Sequence, residues 1–530
     1  MSPLTTGLLA PLKIHMRRPT GAARRALPCI VLLAIAGCGE GSATDPARPG
    51  IRVVSLGASA DTVLALPAGP LVVEVRTALG APLRGAVVKF QSRSGIDPRG
   101  QRGIGMLLCP PDLPECRDPA GPGAFGFAGT AYDTTDADGR AEMALRFGPV
   151  AGTAIVDVLV EARGMRDSVG YEVRPGNATG IVFGTPDTAV YAGASYGVSG
   201  TAVDRYFNLR PDVITYSPAN AAASVDAAGR VTAQAIGRGV IVAQSGLVTD
   251  TAWVSVVPEG TIAAVVRNGG GWGHDELQVV NLDASGRRRL AEISGPHPAV
   301  PAWSPGRAEV VFADYAVLDA IRYLAAVGTD GGVRKYLERS PSVLESGPVQ
   351  FSADGSVAFF VGSDTMWNVG IWRAAADGSG AEMVVHRTSL SIFGVMDPAP
   401  SADGSRVVVE RDGWLTVLTL ATGESQRLGQ GFSARWSPAG DLIAYVASEA
   451  GPHDDGPLMV VRPDGSGARQ VTPPGARYSP WFDWSPDGEW IIVGAPDSRR
   501  MAALQLVRVA DGEILPLRFP VELDQPSWKR

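Results

Sequence analysis

Histidine is scarce in this chain, five residues in 530, and none stands in an H-E-x-x-H pair or another close ligand spacing, so a zinc hydrolase has little support. Basic residues are outnumbered, with 47 Lys and Arg against 54 Asp and Glu for a formal charge of -7. No basic stripe interleaved with aromatics is present, which removes the footprint that neutralises phosphates and stacks bases, so nucleic acid is not an expected partner. Past the N-terminal region no apolar run approaches the roughly 20 residues that a membrane-spanning helix needs. Long helical periodicities are few as well. What is plentiful is turn chemistry among short Val-rich runs, 65 Gly and 41 Pro, the composition of an all-β protein with many short strands. A chain of 530 residues is too long for one core, and its length suggests three or four domains.

The first forty residues read as an address. From Met16, itself a candidate start, comes MRRPTGAARR with Arg17, Arg18, Arg24 and Arg25, then an apolar stretch from Ala26 to Gly37, then Cys38. A positive segment before an apolar one too short to span a bilayer is the pattern of a secretory signal. The ending Ile35-Ala36-Gly37-Cys38 resembles the bacterial lipobox. That resemblance implies removal of residues 1–37 and a lipid-anchored Cys38 that partners the membrane; ordinary secretion with an unmodified cysteine is the alternative. Gly39 follows the anchor, and the lack of Asp there is similar to routing to the outer membrane, so the expected location is the cell envelope.

With Cys29 in the signal and Cys38 acylated, Cys109 and Cys116 remain. A pair of cysteines in an exported protein is most simply a disulfide, and the chain-entropy model assigns a closure of this size about 2.5 kcal/mol. A two-cysteine metal site is the alternative, but no His lies near in sequence and the spacing matches no zinc pattern; no cofactor or metal is expected.

Residues 38–50 form a small-residue linker, GSATDPARPG at its end. Over 51–174, apolar alternation in VVSL, LVVEVRT, GAVVKFQS, RAEMALRF and AIVDVLVEAR predicts a sandwich of two antiparallel sheets. The stretch from Gly80 to Phe90, with Thr134 to Phe147, resembles the bacterial Ig-like domain of invasin and intimin type, departing from it by an insertion at about 95–130 that carries the cysteine pair. Over 175–258, ITYSPANAAASVDAAGRVTAQAIGRGVIVAQSG resembles the second bacterial Ig-like family, with Val225, Asp226, Gly229, Val231 and Ala233 in its motif. Asp226 and Gly229 are expected to shape a hairpin turn.

Residues 259–530 repeat. One motif is a strand ending in a bulky residue and a turn: PAWSPG, VQFSADG, PAPSADG, ARWSPAG, FDWSPDG and a final QPSW. The other is a strand and hairpin, beginning at Leu277, Tyr323, Ile371, Leu415, Leu458 and Leu504. Each occurs six times, and a repeat of 40 to 50 residues implies a propeller or solenoid. The region opens on a hairpin motif and ends on an aromatic one, so the strand near Gln525 to Arg530 is expected to complete the sheet that begins at Thr261. This arrangement resembles the TolB-like, WD40-like propellers. The fold class expected for the whole chain is all-β: two Ig-like sandwiches followed by a six-bladed propeller closed by the C-terminal strand.

Chemistry is harder to find. Gly193-Ala194-Ser195-Tyr196-Gly197 matches G-x-S-x-G, but no βαβ pattern surrounds it. Asp136-Ala137-Asp138-Gly139 lacks the further oxygen ligands of a calcium loop and reads as a turn. Gln350, Arg435, Trp481 and Asp483 precede the aromatic turns and are candidates for a propeller channel, with Arg267, Trp272 and His274 in a Gly-rich loop over it. For each of them a blade interface or a solvated surface is the plainer place. The expected function is a lipid-anchored binding or scaffold protein whose propeller docks a protein or glycan of the envelope. An adhesin acting through the Ig-like modules is one alternative, and a lyase or hydrolase using the channel is another. No catalytic constellation is recognised.

Overall fold

The computed structural model describes residues 50–65, 69–96, 102–109, 129–184, 188–267, 275–294, 299–316, 321–337, 342–343, 349–364, 366, 368–386, 397–411, 413–447, 455–496 and 502–530. Among them the chain is all-β, with one 3-10 turn at Glu161–Arg163 and no α-helix. No helix among the described residues is long and apolar enough to cross a membrane. The expected signal at 1–37, Cys38 and Cys116 lie outside the described residues.

The first unit has two sheets. One joins Gly50–Ser55, Leu71–Arg76, Arg140–Phe147 and Met106–Cys109; the other joins Ala60–Thr62, Met165–Arg174, Gly152–Val160, Val87–Ser92 and Thr130–Thr134. Alternation decides which face is buried: Val156, Val158 and Val160 are buried while Asp157 and Leu159 are only half-buried. One core takes side chains from both sheets, including Leu71, Met143 and Phe147 from the first and Phe90, Val158 and Tyr171 from the second. Cys109 sits buried at the end of its strand. The acidic stretch at Asp136 is a turn, because its Oδ1 accepts the N–H groups of Asp138 and Arg140 at 2.9 Å each.

The second unit packs a sheet of Thr188–Tyr191, Val248–Val257, Gly237–Ser245 and Thr215–Pro218 with a smaller one of Ser195–Gly197, Arg230–Ala233 and Ala223–Val225. Ser195 lies on a strand with its hydroxyl 3.0 Å from that of Thr232, so the G-x-S-x-G string forms no strand-to-helix elbow. Asp226 Oδ1 accepts the N–H groups of Ala228 and Arg230, and Gly229 takes φ +80°. A Cβ at that glycine would sit 2.4 Å from the carbonyl oxygen of Val198.

From Thr261 onward the described residues form six successive antiparallel sheets. The second shows the plan: Ala302–Trp303, Glu309–Ala316, Ile321–Gly328 and Val333–Lys335 pair in chain order. The first differs in connectivity, running Arg288–Ile293, Asp275–Asn281, Thr261–Val266 and then Asp524–Trp528 from the far end of the chain. Ile262 stands opposite Trp528, and Ala263 opposite Ser527. The third sheet holds an element that the repeat does not foreshadow, the two-residue strand Ser342–Val343 beside Val357–Ser363.

Large aromatics stitch neighbouring sheets. Trp303 packs in a cluster that joins Val265 and Leu277 of the first sheet to Phe312 of the second. Trp436 donates its indole N–H to the carbonyl oxygen of Ala399 at 2.9 Å, and Trp484 donates to that of Arg435 at 3.1 Å, each reaching the inner strand of the preceding sheet. The Ser-x-Asp-Gly turns close on themselves: Ser352 and Ser401 donate their hydroxyls to Asp354 and Asp403 at 2.6 Å each. The bond from Ser401, with those from the backbone and hydroxyl of Ser405, pushes Asp403 down to about 2.

The three units touch. Asn208, buried in the second, donates to the carbonyl oxygen of Pro149 and accepts the N–H of Ala151 in the first, both at 2.8 Å. Tyr191 donates its hydroxyl to Gly260 at 3.0 Å, and Ala189, Tyr191 and Val257 share one apolar cluster with Ile262, Trp490 and Trp528. Glu513 adds a polar clamp, accepting the N–H of Arg238 at 3.1 Å while ion-paired to Arg508.

Candidate functional site

Five of the six inner strands share one register; the other, Ala399–Pro400, places Ala399 in the apolar packing instead. The bulky residue, Trp303, Phe351, Trp436, Trp484 or Trp528, turns into the packing between sheets. In a strand the preceding residue must point the other way. The preceding residues are Ala302, Gln350, Arg435, Asp483 and Ser527, and all five line one cavity. Trp481, Gln525 and Arg530 complete its polar lining. The cavity, part of it open to solvent, spans about 510 Å3.

The chain is strained where it enters this site. Val300, Ser433 and Gln525 take φ of +35°, +54° and +53°, and each stands three residues before its tryptophan. A bulge interrupts pairing between Phe432 and Arg435, and another between Ala263 and Val265 opposite the C-terminal strand. Non-glycine residues hold such conformations only where their surroundings over-determine them, and bulges re-aim side chains.

Asp483 is the hub. Its Oδ2 accepts the N–H of Trp528 at 2.8 Å and the hydroxyl of Ser527 at 3.3 Å, and its Oδ1 accepts from Arg530 at 3.2 Å. The last strand is therefore tied to the sixth sheet by a carboxylate as well as to the first by its backbone. Gln525 Oε1 accepts the N–H of Val300 at 2.8 Å, and Ser527 accepts that of Trp303 at 3.1 Å. Arg435 is 9% exposed and donates to the carbonyl oxygen of Ala434 at 3.1 Å, which also accepts from Gln350 at 3.4 Å. Burial pushes its guanidinium below its ordinary value, against the opposing pull of Asp397 and Asp483.

Of the seven channel candidates, Gln350, Arg435, Trp481 and Asp483 come together here. Arg267 does not line the cavity: it follows the strand Thr261–Val266 and pairs with Asp524 at 3.1 Å and Asp275 at 3.8 Å, across the sheet rather than over its mouth. Trp272 and His274 lie outside the described residues. Gln525, Ser527 and Arg530 were missed, although QPSW holds Ser527 in the register of Arg435 and Asp483. His386 is exposed on the outer strand Glu382–His386. Among the described residues no group of three or more His, Cys, Asp or Glu side chains is placed to hold a metal.

The stacked four-stranded sheets, with inner strands converging on one polar cavity, define a β-propeller within an all-β chain. No protein-family model and no curated protein matches this sequence. Solved structures similar to it include TolB from Acinetobacter baumannii, at 16% identity over 60% of this chain and 82% of that one, with a TM-score of 0.40. A nidogen/laminin complex is similar at 9% identity over 52% of this chain and 99% of that one, TM-score 0.37. An oligogalacturonate lyase in complex with manganese is similar at 15% identity over 49% of this chain and 74% of that one, TM-score 0.30.

Proposed function

We propose that this protein is a cell-envelope lipoprotein that binds a protein or glycan partner through its propeller, carried away from the membrane by two Ig-like sandwiches at 51–174 and 175–258. The anchor is Cys38, after removal of 1–37, and Cys109 pairs with Cys116 in a disulfide. The propeller spans 259–530 as a ring of six blades sealed by the C-terminal strand. Six sheets that run in order, with the first completed by Asp524–Trp528, support the ring.

One observation carries the binding reading: residues from four of the six sheets project polar groups into one shared cavity, and the strands of Arg435 and Gln525 reach it through a bulge and a positive φ. Such groups fix the orientation of a ligand. They do not form a nucleophile hydrogen-bonded to a base, since Asp483 is engaged by Trp528, Ser527 and Arg530, so the reading is of binding without catalysis.

The test is capture of partners from solubilised envelopes by the full chain. Trp481→Ala at the cavity is expected to abolish capture, while Leu79→Asp and Leu247→Asp, on exposed tips of the two sandwiches, leave it intact. The opposite pattern would establish the adhesin alternative and remove the propeller from the account. Mass spectrometry of the mature N-terminus checks the anchor, which Cys38→Ala must lose.

A further inference from the structure

Resting on the reading of the six sheets as a ring, we infer that the second unit is the latch of that ring, docked across its seam and keeping the strand Asp524–Trp528 paired. The first sheet takes three strands from 261–293 and its fourth from the end of the chain. In the other five sheets a short turn joins the inner strand to its neighbour, whereas here the connection runs through the whole ring. The seam is therefore where the ring opens most easily. Opening it carries the last strand off with the sixth sheet and leaves the second unit behind with the first. A unit fastened to both sheets opposes that separation.

The second unit is fastened to both. On the side of the first sheet, its strand Val248–Val257 is followed by only three residues before Thr261–Val266, and Tyr191 donates its hydroxyl to Gly260 at 3.0 Å. Burial, with the charge of Asp283 at the first sheet's hairpin, raises that hydroxyl above its ordinary value. On the side of the sixth, Glu513 lies between the strands Ala502–Arg508 and Ile514–Pro516, accepts the backbone N–H of Arg238 at 3.1 Å and pairs with Arg508. An apolar contact fills the space between these fastenings. Ala189 and Val257 of the second unit share one cluster with Ile262 of the first sheet, Trp490 and Leu515 of the sixth, and Trp528 of the last strand.

A three-residue linker holds the second unit at high effective concentration beside the seam, so two polar contacts and a small apolar face suffice to keep the latch shut. The strand held in this way supplies Gln525 and Ser527 to the cavity. The latch therefore steadies part of the cavity wall.

Hydrogen–deuterium exchange of the full chain, read by mass spectrometry, tests this with the double variant Tyr191→Phe and Glu513→Ala, which leaves the ring of Tyr191 in place. Glu382→Ala, which removes an exposed ion pair to Arg373 on the third sheet, is the control. In the double variant, peptides covering 261–266 and 524–528 are expected to exchange about tenfold faster, the effect of one or two lost hydrogen bonds, while those covering Val357–Ser363 and Arg406–Arg411 stay within about twofold. The control leaves the seam unchanged. Unaltered exchange at the seam in the double variant, or an equal rise in every sheet, would overturn the latch. The wild-type chain separates the two readings. Exchange of 524–528 as fast as in an unfolded chain removes the ring and the latch with it, whereas protection there that the double variant does not alter removes the latch alone.

Discussion

Glu410 lies on the strand Arg406–Arg411 with 6% of its surface exposed, and burial, aided by the charge of Asp397, pushes its carboxyl up to about 7. A raised acid binds its proton more tightly folded than unfolded. Its contribution is therefore complete below the unfolded value of 4.5 and is lost as pH rises through about 7. At about 1.36 kcal/mol per pH unit, the displacement amounts to about 3 kcal/mol at most. Glutamine keeps the shape of the protonated acid and cannot ionise. Glu410→Gln should match the wild-type chain near pH 4.5 and exceed it by up to about 3 kcal/mol at pH 8, with the difference opening between those limits. Urea unfolding at several pH values, followed by tryptophan emission, reads this directly, because ten of the eleven tryptophans lie beyond residue 259. A variant that follows the wild-type pH profile in parallel would show that Glu410 titrates as an ordinary surface acid, and the packing described around it would be wrong.

Trp528→Ala removes a side chain 2% exposed where the last strand meets the first, and should cost about 3 to 5 kcal/mol in urea unfolding of the full chain. Gly378 takes φ +87°, and a Cβ there would lie 2.0 Å from the carbonyl oxygen of Tyr336; Gly378→Ala should lower stability by more than the roughly 1 kcal/mol of positive φ alone, read as a fall in Tm. Cys109 should resist alkylation until the protein is both unfolded and reduced, with a mass gain of one label each on Cys109 and Cys116. Labelling after unfolding without reductant would dismiss the pairing.

Much of the architecture was legible because its signals are local. SADG at 352–355 and 401–404 and SPDG at 485–488 close through a serine hydroxyl, an aspartate and a glycine within four residues, so their spacing alone places the ends of inner strands. The alternation that buries Trp436 also turns Arg435 toward the cavity, and that too is a property of adjacent residues. Arg267 lies off the cavity because Asp524, brought beside it by pairing between strands at opposite ends of the region, holds it along the sheet together with Asp275 of the adjacent strand. The strand Ser342–Val343 was missed because a two-residue edge strand has no periodicity to detect.

What the amino acids decide by themselves is therefore the short-range grammar: which runs are strands, where they turn, which residues stand next to a buried aromatic. What only the tertiary structure decides is who meets whom across long separations. Gln525 reaches Val300 and Ser527 reaches Trp303 across more than 220 residues, Asp483 holds Trp528, and Glu410 acquires its raised proton affinity from burial that no neighbour in sequence supplies. The reason is physical. Turn and strand preferences are energies of a few adjacent dihedrals, whereas the desolvation of Arg435 and Glu410 and the missing partner of Gln525 exist only once separate sheets have closed around them.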